Sequence, residues 1–159
     1  MDHLWVPADR DLAVEAGHAL IRSLRAAGIL DGDRPGPHGA QWADRFDAIR
    51  VDDPGAVVLY ANGVGGFRPA CPVDRAPIVP AFSAALTGWR AGGPFSVACP
   101  ACGETHPLDA LDLSPAAAFG RFAIRTIDPD PPLLSPDAER WVVGALGPCH
   151  PVLSRVGWR

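Results

Sequence analysis

Two copies of one short pattern constrain this chain more than any other feature. The stretches FRPACPVD (67–74) and FSVACPAC (95–102) share Phe, Ala, Cys and Pro at identical offsets, 28 positions apart. The eighth position is Asp74 in the first copy and Cys102 in the second. Each copy therefore brings two potential metal ligands, three residues apart, to a tight turn that can aim both at one ion. The predicted ligand set is Cys71, Asp74, Cys99 and Cys102.

The run Cys-Pro-Ala-Cys-Gly (99–103) resembles the knuckle of zinc ribbons and rubredoxin-like modules, where proline shapes the turn and glycine lets backbone amides approach the sulfurs. The resemblance covers the two eight-residue copies and Gly103. It implies one structural, tetrahedral zinc per chain, because zinc accepts thiolate and carboxylate ligands together. It also implies a zinc-knuckle pair over 67–106. The chain departs from the usual ribbon at Asp74, which replaces a thiolate, and in the predicted helix that is inserted between the two knuckles.

Other residues are alternative fourth ligands. His106 follows Cys102 by four residues, and Cys149 and His150 stand together near the C-terminus. A metal-free interpretation also remains, in which Cys71 and Cys149 are ordinary buried cysteines. A thioredoxin-like redox pair is disfavoured, because such a motif opens a helix and glycine and proline follow here.

Composition favours one folded domain over 1–159. The chain has 159 residues, of which 48% are hydrophobic and 20% charged, enough to build one core. A net charge of −4 disfavours nucleic acid and favours a basic protein partner. No signal peptide or membrane-spanning run is evident, so we expect a cytoplasmic protein without a membrane partner. The abundance of Ala, Gly, Pro and Arg, with no Lys, is typical of a bacterial genome rich in GC.

Hydrophobic periodicity predicts an α+β fold, with about three helices around a small sheet and the zinc-knuckle module. Helices are predicted over 8–27, 78–90 and 136–146. Strands are predicted in the segments 56–63, 95–98, 121–127 and 151–158. A loop is expected after Gly28, and a short helical turn over 114–120.

No catalytic motif was found, such as G-x-S-x-G, H-E-x-x-H or paired carboxylates. The leading hypothesis is therefore a non-enzymatic zinc protein acting through protein-protein binding, as an adaptor or a toxin-neutralising immunity protein. A zinc-ribbon regulator associated with nucleic acid is one alternative. A zinc-dependent hydrolase using Glu104 and His106 is another.

Two surfaces are candidates for binding. Trp42, Asp44 and Asp47 would form an acidic edge with an aromatic anchor for a protein partner, unless Trp42 and Phe46 instead cap the core. Four arginines could form an anion-binding patch if their strands pair, although a solvated sheet face with acidic neighbours would explain them too. These arginines are Arg121, Arg125, Arg155 and Arg159.

Overall fold

The computed structural model describes residues 1–63, 68–113, 116–130 and 134–154. It contains three α-helices, α1 (Val14–Ala26), α2 (Val79–Arg90) and α3 (Pro136–Leu146). The strands are β1 (Asp2–Pro7), β2 (Leu30–Asp31), β3 (Arg34–Pro35), β4 (Ala48–Asp52), β5 (Val58–Ala61), β6 (Ser96–Ala98), β7 (Thr105–Pro107), β8 (Ala117–Gly120), β9 (Ala123–Ile127) and β10 (Cys149–Ser154). They form several small antiparallel sheets, which confirms the α+β class.

The chain divides into two units. The first comprises Met1–Gly65 with Pro115–Arg159, and the second comprises Gly66–Ser114. The predicted segment 67–106 falls within the second unit. The expectation of one domain over 1–159 stays a prediction.

The first unit is organised around a four-stranded antiparallel sheet in the order β10-β1-β9-β4. Leu20, Leu24 and Val142, from α1 and α3, share a buried core with Trp5 of β1 and Ile124 of β9. The predicted ending of strand, helix and strand is confirmed by β9, α3 and β10.

The opposite side of β1 is buried as well. Leu4 and Val6 pack with Tyr60 of β5 and Ala118 of β8 in a second core cluster. All six residues of β1 are consequently buried, and the strand has no alternation of polar and apolar residues. The sequence analysis missed β1 for this reason. It also predicted a helical turn where β8 is a strand, while residues 114–115 lie outside the described residues.

Local signals placed α3 correctly. The Ser135 side chain accepts a hydrogen bond from the Ala138 amide, as expected of an N-cap, and Pro136 follows at the first helical position. By contrast, α1 begins at Val14 instead of residue 8. A turn precedes it, in which the carboxylate of Asp9 accepts from the Asp11 amide.

The second unit contains α2 and a hairpin of β6 and β7, paired with Val97 opposite His106. Its buried apolar side chains are Ile78, Phe82, Val97, Leu108, Leu111 and Leu113. The second of the two repeated copies runs through β6 into the connection 99–104, so the hairpin carries the Cys-Pro-Ala-Cys-Gly turn at its tip.

Candidate metal centre

Four side chains of the second unit meet with potential ligand atoms all within 4.8 Å of one another: Cys71, Cys99, Cys102 and His106. The Sγ atoms of Cys71 and Cys102 lie 3.6 Å apart. The Nε2 atom of His106 is 3.2 Å from the Cys102 Sγ and 3.8 Å from the Cys71 Sγ. These four residues could hold a metal ion.

Three of the six separations between ligand atoms are close to those of a tetrahedral zinc site. Zinc–sulfur bonds of about 2.3 Å and zinc–nitrogen bonds of about 2.0 Å require ligand-to-ligand distances of roughly 3.8 Å for two sulfurs and roughly 3.6 Å for sulfur and nitrogen. The three distances given above lie within about 0.4 Å of those values. All four cysteines of the chain are free thiols. The donor set of three sulfurs and one imidazole is also a known zinc combination.

The two repeated copies fold into the same turn, and we call residues 71–76 the first Cys-Pro turn and 99–104 the second. In the first turn, the Arg75 amide donates to the Cys71 carbonyl and the Cys71 amide donates to the Ala76 carbonyl, both at 2.9 Å. In the second turn, the Gly103 amide donates to the Cys99 carbonyl at 2.9 Å, and the Cys99 amide donates to the Glu104 carbonyl at 2.8 Å. The sequence repeat is thus a structural repeat.

The two turns differ at the fifth position. Gly103 has φ +78° and Arg75 has φ +60°, both in the left-handed region. Glycine adopts that region without a steric penalty, whereas a residue with a Cβ is strained there. The first turn therefore adopts the same conformation with backbone strain at Arg75, whereas Gly103 allows the second turn to adopt it without strain.

His106 is the fourth member of the cluster, in place of the predicted Asp74. It lies in the middle of β7 and is 8% exposed, whereas Thr105 and Pro107 on either side are exposed. This alternation is that of a strand with one buried face. The spacing Cys-x2-Cys-x3-His, with the histidine inside such a strand, is the sequence signal that could have ranked His106 above Asp74.

The predicted ligand Asp74 forms a hydrogen bond within its own turn. It is exposed, and its carboxylate accepts a hydrogen bond of 3.0 Å from the Ala76 amide. This bond lowers the pKa of Asp74. A short acidic side chain commonly closes a turn on its own backbone in this way. The Cys71 thiol also donates to the Asp74 carboxylate, so Asp74 neighbours the cluster as a hydrogen-bond partner of Cys71 and is not one of its four members.

The buried thiols have different proton affinities. Burial raises the pKa of Cys71 to about 11, because the thiolate is the form that loses solvation. The backbone amides of Cys102 and Ala101 lower the pKa of Cys99 by donating to its sulfur. Since zinc binds thiolate, occupation of the site must release protons near neutral pH.

The other proposed ligands lie elsewhere. Cys149 and His150 belong to β10 of the first unit. The Cys149 thiol contacts the Gly147 carbonyl at 3.5 Å, and burial raises its pKa to about 11. Neither residue joins a group of three or more potential ligands among the residues that the structure describes.

The predicted partner-binding edge needs correction at Trp42. This side chain is 0% exposed, and its indole Nε1 donates to the Thr126 Oγ1 at 3.0 Å. Phe46 is 3% exposed, so the competing interpretation, in which the two aromatic residues belong to the core, is confirmed. Asp44 and Asp47 are exposed, but they have no aromatic anchor in Trp42.

The predicted arginine patch is also corrected. Arg125 is 12% exposed, and its guanidinium forms an ion pair with the Asp2 carboxylate at 2.6 Å. Arg121 is exposed and precedes β9. β1 separates β9 from β10, so the two strands do not pair. Arg155 and Arg159 lie outside the described residues.

The two residues of the predicted hydrolase site, Glu104 and His106, differ in exposure and in neighbours. Glu104 is exposed and its carbonyl accepts the Cys99 amide within the second Cys-Pro turn. His106 belongs to the four-residue cluster, so it is a potential ligand. Four protein ligands would fill a tetrahedral zinc site and leave no position for a water nucleophile.

Comparison with protein-family models, curated proteins and solved structures found no match to this chain. None of the described helices combines the length and apolar character needed to cross a bilayer. Function must therefore be inferred from the site itself.

Proposed function

We propose that the chain binds one structural zinc ion through Cys71, Cys99, Cys102 and His106. The observation that supports this proposal is the convergence of their ligand atoms within 4.8 Å, at separations suited to a zinc tetrahedron. The first Cys-Pro turn supplies one ligand. The second turn and the strand after it supply the other three.

In this proposal the metal stabilises the second unit and carries out no reaction. Three thiolates donate so much charge to zinc that it polarises a further ligand poorly, and the fourth position is filled by His106. The metal-binding energy is then available for folding, as it is in small zinc modules.

The direct test is native mass spectrometry with elemental analysis of the untagged full chain. We expect one zinc per chain, loss of zinc in Cys71→Ser, and retention in Cys149→Ser, which removes a cysteine of the first unit. A folded wild-type chain without zinc would contradict the proposal. Loss of zinc in Cys149→Ser alone would move the site to β10.

For the biological role, we propose protein-protein binding of the adaptor or immunity type. Val73, in the first Cys-Pro turn, is 63% exposed, the largest exposed fraction among the large apolar side chains of the described residues. Its amide contacts the Cys71 Sγ at 3.4 Å, so its backbone is tied to the cluster. Pro72 beside it is exposed as well. A metal centre that holds an apolar residue at the surface is suited to presenting it to a partner.

A comparative pull-down tests this role, using wild type, Val73→Asp and Val143→Asp. Val143 is 42% exposed on α3 and provides the matched control in the first unit. We expect a specific partner to be retained by wild type and Val143→Asp and lost from Val73→Asp. Equal capture by all three proteins would exclude the surface at Val73.

A further inference from the structure

We propose that the metal centre is also a site of oxidative modification, where a hydroperoxide joins Cys71 and Cys102 in a disulfide and releases the zinc. The inference rests on the proposed zinc function. It follows from the geometry of the two sulfurs and from the unequal exposure of the ligands.

Cys102 is the member of the cluster that solvent reaches. It is partly exposed, whereas Cys71 is 1% exposed, Cys99 3% and His106 8%. A small oxidant arriving from solution therefore meets Cys102 first. Reactive thiolates in proteins are those that combine thiolate character with access, and zinc coordination maintains the thiolate.

Cys71 is placed to resolve the oxidised Cys102. Its Sγ lies 3.6 Å from the Cys102 Sγ, so the two atoms are already in contact before any bond forms. The two residues are 31 positions apart and belong to different Cys-Pro turns. The disulfide would therefore tie together the two turns that the zinc had held.

The chemistry balances with a hydroperoxide as the oxidant. The Cys102 thiolate attacks the O–O bond of hydrogen peroxide, which forms a sulfenic acid and releases hydroxide. The Cys71 thiolate then attacks the Cys102 sulfur, forming the S–S bond and releasing a second hydroxide. Two protons from solvent convert the hydroxides to water. Zinc loses two of four ligands, and the remaining Cys99 and His106 are too few to retain it.

The test uses the full-length zinc-loaded Cys149→Ser protein, which removes the cysteine outside the cluster. It is treated with hydrogen peroxide in the presence of a chromogenic zinc chelator, and the products are digested with trypsin without reduction. Cleavage after arginine, except before Pro69, separates Cys71 in peptide 51–75 from Cys99 and Cys102 in peptide 91–121. Fragmentation of any linked pair then identifies which cysteine of 91–121 is bonded.

We expect release of one zinc equivalent together with a disulfide that links the two peptides through Cys102, and restoration of zinc binding after a thiol reductant. A Cys99–Cys102 disulfide within 91–121, or zinc that stays bound under peroxide, would overturn the inference while leaving the zinc function intact. Protein that holds no zinc before treatment would overturn both.

Discussion

The two units of this protein are stabilised in different ways. The first unit buries large aromatic side chains, among them Trp42, Phe46 and Phe122, beside the helices α1 and α3. In the second unit the buried apolar side chains are few, and a cluster of three cysteines and a histidine lies among them. A unit of fewer than about 70 residues rarely gains enough stability from apolar burial alone, and natural examples add metals or disulfides.

On the proposed zinc function, the metal would stabilise the second unit, which has fewer large buried side chains than the first. Burial supplies stability in proportion to apolar area, so the first unit can fold on its side chains. The second unit would depend on the proposed zinc.

Zinc removal should have the largest effect. On treatment with a strong chelator we expect amide-hydrogen protection to collapse in α2, β6 and β7, because structural zinc supplies about 10 kcal/mol of apparent binding energy in comparable modules. Protection in β1 and β9 of the first unit should change little. Hydrogen exchange with mass spectrometry measures both in one sample, and equal losses in the two units would abolish the contrast between them.

The identity of the fourth ligand gives the next largest effect. His106→Ala should weaken zinc binding by more than about 100-fold, because it removes a direct ligand. Asp74→Ala is the comparison variant, since it removes a carboxylate that bonds to the Ala76 amide and to the Cys71 thiol without belonging to the cluster, and a smaller change of about tenfold is expected. Competition with a calibrated zinc chelator measures both variants. The opposite ranking would restore Asp74 as the ligand.

The stability of the first unit should decrease at acid pH because of His3. Burial lowers the pKa of this imidazole from 6.5 to about 4, and its Nδ1 has no hydrogen-bond partner among the described residues. Below pH 6.5 the unfolded chain binds a proton that the folded chain excludes, so stability is retained above that pH and lost as pH falls towards 4. We expect a loss of about 2 kcal/mol from pH 7 to pH 5.

This loss is measured by denaturant unfolding at pH 7 and pH 5, with amide exchange in β1 as the probe of the first unit. His3→Phe retains an aromatic ring beside Trp5, which His3 contacts at 5.1 Å between ring centroids, and removes the titration. The variant should lose about 2 kcal/mol less than wild type over the same interval. An identical pH dependence in both proteins would mean that His3 is not the group responsible.

The smallest effects concern the two Cys-Pro turns. Gly103→Ala should destabilise the zinc-bound second unit by about 1–2 kcal/mol, because alanine is strained at φ +78°. Arg75→Gly should stabilise it by up to about 1 kcal/mol, since glycine relieves the strain at φ +60°. Thermal unfolding with excess zinc compares them. Equal destabilisation by Gly103→Ala and Arg75→Gly would contradict this prediction, because it would show that Arg75 is not strained in the first turn.

Local patterns in the sequence determined several features correctly. The repeat of Phe, Ala, Cys and Pro marked two turns that share one hydrogen-bond pattern, and Ser135 with Pro136 marked the start of α3. Such features depend on residues close in sequence, whose hydrogen bonds and backbone preferences act over a few positions. The three cysteines of the cluster follow from the same repeat.

Contacts between distant residues decided the rest. Trp42 is buried in the core of the first unit, where its indole donates to Thr126, 84 positions away, and Arg125 is neutralised by Asp2, 123 positions away. Asp74 and His106 both had suitable chemistry and spacing for the fourth ligand. Pairing of β7 with β6 buries His106 beside the sulfurs, while the Ala76 amide holds the Asp74 carboxylate within its own turn. The spacing of residues along the chain does not specify which side of a strand becomes buried, and only tertiary packing made that choice.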